Sequence, residues 1–360
     1  MFRVTLLPAL QGDCLWVEYG NPASPRRILI DGGPIGAYPA LERRINALPE
    51  GEKALELAVI SHVDGDHIEG MIRLIAEKNR DIVFKDIWFN GWKHLTPESE
   101  ILGAMQGEFL SALIHYKIGD DRWNAAKAFA GKAIEVTEKG ELPKVVLAGC
   151  LQLTLLSPTR STLDTLRKEW KGKVPTDFTP GDVDAALDQL EKQKRLTPKG
   201  ILGGVVAEDA VEPVEKVTAN NGSSIAFLAE FAEKRCLFLA DASPKVVAAS
   251  IRRLVGPGER LKVDAVKVSH HGSGGNTTNE LLDVIDCKRF LISTNGSGKP
   301  RHPHERAIRK ILDRSKSGVE LYFNHDSPTT RVWGDAARQK EEGYTAHFPS
   351  NVTDGIALDL

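Results

Sequence analysis

Cysteine is scarce in this chain and badly placed for a scaffold. Cys14, Cys150, Cys236 and Cys287 lie far apart, and none forms a C-x-x-C pair. A zinc ribbon or disulfide framework is therefore excluded, and buried thiols in a reducing cytosol are expected, three of them in apolar strand-like runs. No apolar run approaches the roughly 20 residues of a membrane span. The N-terminus lacks a basic segment, and Asp13 interrupts a short apolar start, so no secretory signal is read and a cytoplasmic location is expected. No excess of either charge is present either. The formal net charge of −2 leaves no global footprint of a nucleic-acid binder, although a local basic groove remains open. Also missing are a Ser-centred elbow, a G-x-x-x-x-G-K-S loop and a G-x-G-x-x-G fingerprint. The usual nucleophile and nucleotide signatures thus contribute nothing.

What the chain does have is His62-Val63-Asp64-Gly65-Asp66-His67, two imidazoles and two carboxylates in six residues. The apolar run Leu55–Ile60 before it reads as a buried strand. Ile68, Met71, Ile72 and Ile75 after it repeat at helical spacing. The cluster therefore falls on a strand-to-helix loop, with Asp66 and His67 at the helix start. A solvated acidic turn would not need this order of residues. Four ligand groups exceed what one tetrahedral ion asks of a local segment, so two ions are expected, with distant residues completing the shells.

Organisation is legible from pattern. Strand-like runs at Phe2–Leu7, Cys14–Tyr19 and Arg27–Ile30 open the chain. A helical pattern spans Thr96 to Gly140, where Ile101, Met105, Phe109 and Leu113 recur every four residues. A strand pair is read over Val145–Leu156, and a charged helical stretch from Ser161 to about Leu196. Strands return at Ser224–Glu230 and Arg235–Ala240. Two segments repeat a theme, since Arg27–Asp31 and Cys236–Asp241 are each a strand ending in Asp after another strand and a turn. The length suits a single domain, residues 1–360, with 97–140 and 160–200 as helical insertions. These either border the cleft or pack outside it with no functional part.

The ordered set of motifs resembles the metallo-β-lactamase superfamily. Its common H-x-H-x-D-H signature stands here as H-x-D-x-D-H, with Asp64 in place of a His. That variant is similar to the metallohydrolase domain of bacterial competence DNA-uptake (ComEC-like) proteins and to the phosphorylcholine esterase branch. Matching segments follow in order: Gln11-Gly12-Asp13, Ile30–Pro34, Phe238–Ala242, Val268–Ser273 and Arg301–His304.

The resemblance implies a four-layer αββα sandwich and two divalent metal ions, zinc or manganese, that activate a water as hydroxide. It implies Asp241 as a carboxylate bridging both ions; on its own, Asp241 would serve equally as cap of a helix starting near Ser243-Pro244. It implies His62, Asp64 and Asp241 on one ion, and Asp66, His67, Asp241 and His270 on the other. Asp66 also orients the nucleophile. His271 is left to a substrate contact or to support of a ligand, because on an extended segment only one of the two imidazoles faces the site. Asp31 is a candidate partner for a ligating imidazole. Many superfamily members carry a further His where this chain reads Thr218–Ser223, which weakens the first ion's site and shifts preference towards harder ions.

In the late loop, His302 or His304 is expected to protonate a leaving alkoxide, and Lys299 and Arg301 to hold a phosphate. Asn295 is expected to face the substrate. Trp88 and Trp92 are candidates for stacking at the rim, although the pattern around Trp88 is more often that of a core residue. The expected activity is a phosphodiesterase or nuclease. The alternatives are a hydrolase of a small phosphodiester or ester and, from another class, an inactive regulatory member. Runs such as Ile251-Arg252-Arg253 through Arg260-Leu261-Lys262 would line a nucleic-acid backbone path.

Overall fold

The computed structural model describes residues 1–77, 81–95, 105–170, 175, 178–196, 217–298, 300–315 and 317–360. The fold is mixed α/β and is built around two large sheets. The six-stranded sheet runs, in spatial order, Ile356–Asp359, Phe2–Leu6, Leu15–Asn21, Ser24–Ile30, Leu57–Val59 and Ile87–Trp88. The eight-stranded sheet runs Tyr344–His347, Val319–Phe323, Arg289–Ile292, Ala265–Lys267, Lys234–Phe238, Ala226–Phe231, Gln152–Ser157 and Lys144–Val146.

Alternation of side chains along each strand explains how the first sheet is used. Val17, Tyr19, Ile28, Ile30, Leu57 and Val59 join a core shared with Leu153, Leu155, Phe227 and Phe238 of the second sheet. Their neighbours Trp16, Leu29 and Ala58 point the other way, into a second core with Leu41 and Ile45 of helix Tyr38–Asn46 and Ile68, Met71 and Ile72 of helix Gly65–Ala76. Helices Pro244–Val255 and Glu305–Ser315 contribute Val247, Ile251, Ile308 and Ile311 to the first core.

The internal repeat has a topological counterpart. In each sheet an antiparallel hairpin is followed by a helix and then by a strand parallel to the hairpin's second strand. Ser24–Ile30 pairs in parallel with Leu57–Val59, and Lys234–Phe238 with Ala265–Lys267. Asp31 and Asp241 therefore both follow the second hairpin strand, while His62–His67 and His270–His271 both follow the parallel strand. Four chemistry-bearing loops leave the carboxyl ends of their strands, where crevices form in open α/β sheets.

The helical reading of 96–140 holds only in part. A helix covers Met105–Leu113 and extends as a wider turn over Ile114–Ile118. Beyond a short turn at Asp120–Arg122, the path to Pro143 is irregular. Side chains take over the backbone's hydrogen bonds there. Asn124 accepts from the Phe89 amide and donates to the carbonyls of Phe89 and Lys132, and Trp123 donates to the Phe89 carbonyl. Helices Arg160–Trp170 and Val183–Lys192 occupy the second stretch. Residues 96–104, 171–174, 176–177 and 197–200 of those stretches lie outside the described residues. Cys150 is exposed, not buried, because it sits at a turn before the strand Gln152–Ser157.

Candidate metal centre

Helix Gly65–Ala76 starts at Asp64, and its first turn carries Asp66 and His67. The helix lies backbone against backbone on the Asp31–Gly33 loop. A Cβ on Gly70 would sit 2.0 Å from the Gly32 carbonyl oxygen, and one on Gly32 would sit 2.3 Å from the Met71 nitrogen. Gly32 donates to the His67 carbonyl and Gly70 to the Gly33 carbonyl. Only glycine permits this approach, which brings Asp31 beneath the His62–His67 loop.

His62, His67, His270 and His271 converge on one carboxylate oxygen. Their Nε2 atoms lie 3.9, 3.5, 3.8 and 3.8 Å from Asp241 Oδ2. His62 Nε2 is also 3.4 Å from Asp64 Oδ2, and His271 Nε2 is 3.4 Å from Asp66 Oδ2. Each imidazole is held from behind through Nδ1. His67 meets Asp31 Oδ2 at 2.8 Å, His62 meets Ser61 Oγ at 3.0 Å, His271 meets the Ser293 carbonyl at 3.0 Å and His270 meets Asn276 Oδ1 at 3.1 Å. Ser61 in turn donates through its amide and hydroxyl to Asp31, each at 2.7 Å.

These residues fit a metal centre. Among the described residues, Nε2 of His62, His67 and His271 and Oδ1 of Asp241 are buried with no hydrogen-bond partner. Leaving so many polar atoms unsatisfied is costly unless a cation is their partner. Bonds of about 2.0 Å in a tetrahedral shell set ligand atoms roughly 3.3 Å apart, close to the separations seen here. Two groupings stand out, His62 with His67 and Asp241, and His67 with Asp66 and His271. A third, Asp13 with Asp31 and His67, lies behind the His67 ring and already has a cation: Lys267 Nζ donates to Asp13 Oδ2 at 2.6 Å.

The electrostatics follow from this crowding. Burial opposes ionisation of Asp66, but His67 and His271 outweigh it and hold the carboxyl at about 2. Burial likewise opposes ionisation of Asp241, and His270, His67 and His271 bring it well below the carboxylate range. Asp13 is lowered by Lys267 and His271 against the same burial. His271 is pushed up to about 10: burial disfavours its cation, and Asp13 and Asp241 prevail. His67 is raised by Asp241 and Asp31 over a similar burial cost.

His270 and His271 correct the expectation that one imidazole alone faces the site. The segment is not extended, because both residues have positive φ, 47° and 53°. This tight turn presents neighbouring side chains to the same carboxylate. Asp241 does not cap the following helix, whose N-cap is Ser243.

The Asn-rich turn Ala219–Gly222 closes one side, with Asn220 donating to Asp64 Oδ1. His302 is buried with its ring 5.2 Å from that of His270, and His304 lies beyond it at 4.7 Å. Burial, together with the charges of His270 and His271, holds His302 down at about 2. His304 Nδ1 accepts from the Gly274 amide at 3.0 Å, and burial lowers its basicity too. Arg301 is exposed, and Lys299 lies outside the described residues. Asn295 accepts from the Ser297 amide and so braces its own turn. Trp88 and Trp92 are both buried, so neither offers a stacking face at a rim.

Pattern reading missed Asp13 and Lys267 as a buried pair, and Asn276 altogether. The Gln11-Gly12-Asp13 motif pointed to the first. A Cβ on Gly12 would lie 1.9 Å from the Asp66 carbonyl oxygen, so this glycine lets the Asp13 loop dock on the His62–His67 loop.

No protein-family model matches the chain. ComE operon protein 3 of Bacillus subtilis (strain 168) is 23% identical over 130 residues, 36% of this chain. The match covers 16% of that protein, so the chain spans a small part of its relative's length. Among solved structures, a CmlA beta-hydroxylase mutant aligns over 100% of this chain and 53% of its own, with 11% identity and a TM-score of 0.38.

Proposed function

We propose that this protein is a metal-dependent hydrolase of phosphodiesters on an αββα metallo-β-lactamase-type sandwich, with single-stranded or flexible nucleic acid as its first substrate class. The observation that carries this reading is the convergence of four Nε2 atoms on Asp241 Oδ2, each ring pinned through Nδ1. The similarity to ComE operon protein 3 supports the competence-type branch.

In this reading two divalent ions, zinc or manganese, would be held with Asp241 shared between them. His62 and Asp64 would complete one set of ligands; Asp66, His67 and His270 would complete the other. His271, aimed at Asp66 and Asp241, joins the ligands instead of contacting substrate. The wealth of carboxylates favours manganese. When bound, such a pair supplies an acidified water and offsets charge on the phosphate. The chain supplies the rest. Asp66 orients the attacking water. Arg301, with Lys299, holds the phosphate by charge-assisted bonds. His304, whose Nδ1 is occupied as an acceptor, keeps its proton on Nε2 when neutral and so presents a donor to the leaving oxygen. His302, buried and held neutral, packs between the His304 ring and that of His270.

One observation favours a small phosphodiester or ester as the alternative substrate. The arginines expected to line a backbone path are occupied within the protein. Arg252 pairs with Glu280, Arg253 donates to the carbonyls of Thr137 and Gly140, and Arg260 to that of Leu282.

The test incubates metal-stripped protein with circular single-stranded DNA, with manganese or zinc, beside Asp66→Ala. Metal-dependent cutting that the variant lacks is expected. Hydrolysis of bis-(p-nitrophenyl) phosphate without DNA cutting moves the substrate to the small class. Full activity in a variant that replaces both Asp66 and His67 defeats both readings.

A further inference from the structure

We propose that Asn276 is a positioning residue that fixes the tautomer of His270, so that Nε2 of that ring is the ligand atom. The inference rests on the metal-centre reading for its consequence but not for its geometry. Asn276 is buried in the loop that follows the His270–Gly272 turn. Its Nδ2 lies 3.1 Å from the Asp241 carbonyl oxygen and 3.3 Å from that of Ala242. Carbonyl oxygens only accept, so the amide nitrogen must face them. That leaves Oδ1 on His270 Nδ1 at 3.1 Å. An amide oxygen also only accepts, so Nδ1 carries the hydrogen and the lone pair of the neutral ring is on Nε2. That atom is the one 3.8 Å from Asp241 Oδ2.

A second amide competes for the same nitrogen. Asn221 Nδ2 lies 3.3 Å from His270 Nδ1, while Asn221 Oδ1 is buried without a hydrogen-bond partner. Two donors cannot share one hydrogen. Rotating the Asn221 amide by half a turn resolves both faults, since its oxygen then accepts from the same N–H. Asn276 has no such freedom, because two carbonyls dictate its orientation. Through one side chain it joins the backbone of Asp241 to the ring of His270, so the proposed bridging carboxylate and this imidazole are set as a unit.

The experiment uses metal-free full-length protein labelled with ¹⁵N-histidine. Two-bond ¹H–¹⁵N correlations are recorded at alkaline pH. The wild type is expected to carry the hydrogen on Nδ1. Asn276→Leu shifts population to the other tautomer, and Asn221→Ala leaves it unchanged. Chelator competition then measures metal affinity: Asn276→Leu weakens one of the two ions by about 10–100-fold, the range for loss of a group that orients a ligand. A wild-type His270 protonated on Nε2, or an Asn276→Leu protein with unchanged tautomer, overturns the proposal. Wild-type protein that binds no metal defeats the metal-centre reading alone, because the tautomer still reports on Asn276. Should the Leu variant fail to fold, the wild-type and Asn221→Ala spectra decide.

Discussion

Lys267 is wholly enclosed, and its ammonium donates to Asp13 Oδ2 at 2.6 Å and to the Val268 carbonyl at 3.0 Å. Breaking a buried pair from one side leaves an uncompensated charge, which costs about 3–5 kcal/mol. Lys267→Met and Asp13→Asn are each expected to lose stability in that range, and the double variant less than their sum. Urea unfolding in a double-mutant cycle measures the coupling, and near-additive losses would show that the two groups do not depend on each other. Asp241→Asn tests a different role. It keeps the shape but removes the charge shared by four imidazoles, so metal content after gel filtration should fall to background while the far-UV spectrum is unchanged. Retention of both ions would remove Asp241 from the bridge.

The residues of His62–His67 could be picked out because their ligand chemistry is local, spaced along one loop. Asp13 and Lys267 could not be paired, since 254 positions separate them and nothing in either neighbourhood signals the other. His271 escaped for a subtler reason. Two consecutive residues with positive φ overturn the alternation that an extended segment imposes, and neither is a glycine that would announce such a turn.

At the scale of elements, the helices that pack on helix Gly65–Ala76 and on one another are tied together by polar contacts. Arg195, after helix Val183–Lys192, reaches Glu69 of helix Gly65–Ala76 at 3.1 Å. Glu108 of helix Met105–Leu113 accepts from Trp170 Nε1 at 3.3 Å and from the Gly181 amide at 2.9 Å. These donors are neutral, and burial pushes the Glu108 carboxyl up to about 7, helped by Asp182.

A carboxyl whose basicity rises on folding binds more protons in the folded state. It therefore stabilises most below its ordinary value of 4.5, and that contribution is lost as pH rises through about 7. Glu108→Gln removes the titration. The stability difference should move in favour of Gln between pH 4.5 and 7, by on the order of 3 kcal/mol, and level off above. Parallel pH profiles of unfolding would show Glu108 ionised at no cost. The four-residue periodicity announced Met105–Leu113 but not the wider turn that carries it on to Gly119, where φ is 106° and the amide donates to the Ile114 carbonyl.

At the scale of the whole molecule, charge decides which substrate the centre can serve. The chain's formal net charge is −2, and Arg252, Arg253 and Arg260 are occupied by protein partners. Those three cannot freely follow a polyanion, whereas Arg301, next to His302 in the chain, is exposed. Each phosphate neutralised on a single strand contributes about −0.7 to the slope of log affinity against log salt. Binding of a short single-stranded oligonucleotide to the metal-loaded Asp66→Ala protein should therefore show a shallow slope, near −0.7 to −1.4 for one or two phosphate contacts. Arg301→Ala should reduce its magnitude by about 0.7. Fluorescence anisotropy between 50 and 200 mM salt, a range set by the same counterion release, measures both. A steep slope that Arg301→Ala leaves untouched would place the polyanion on another surface. An absent slope, with hydrolysis of bis-(p-nitrophenyl) phosphate intact, would assign the centre to small phosphodiesters, whose single phosphate needs only the ions and one arginine.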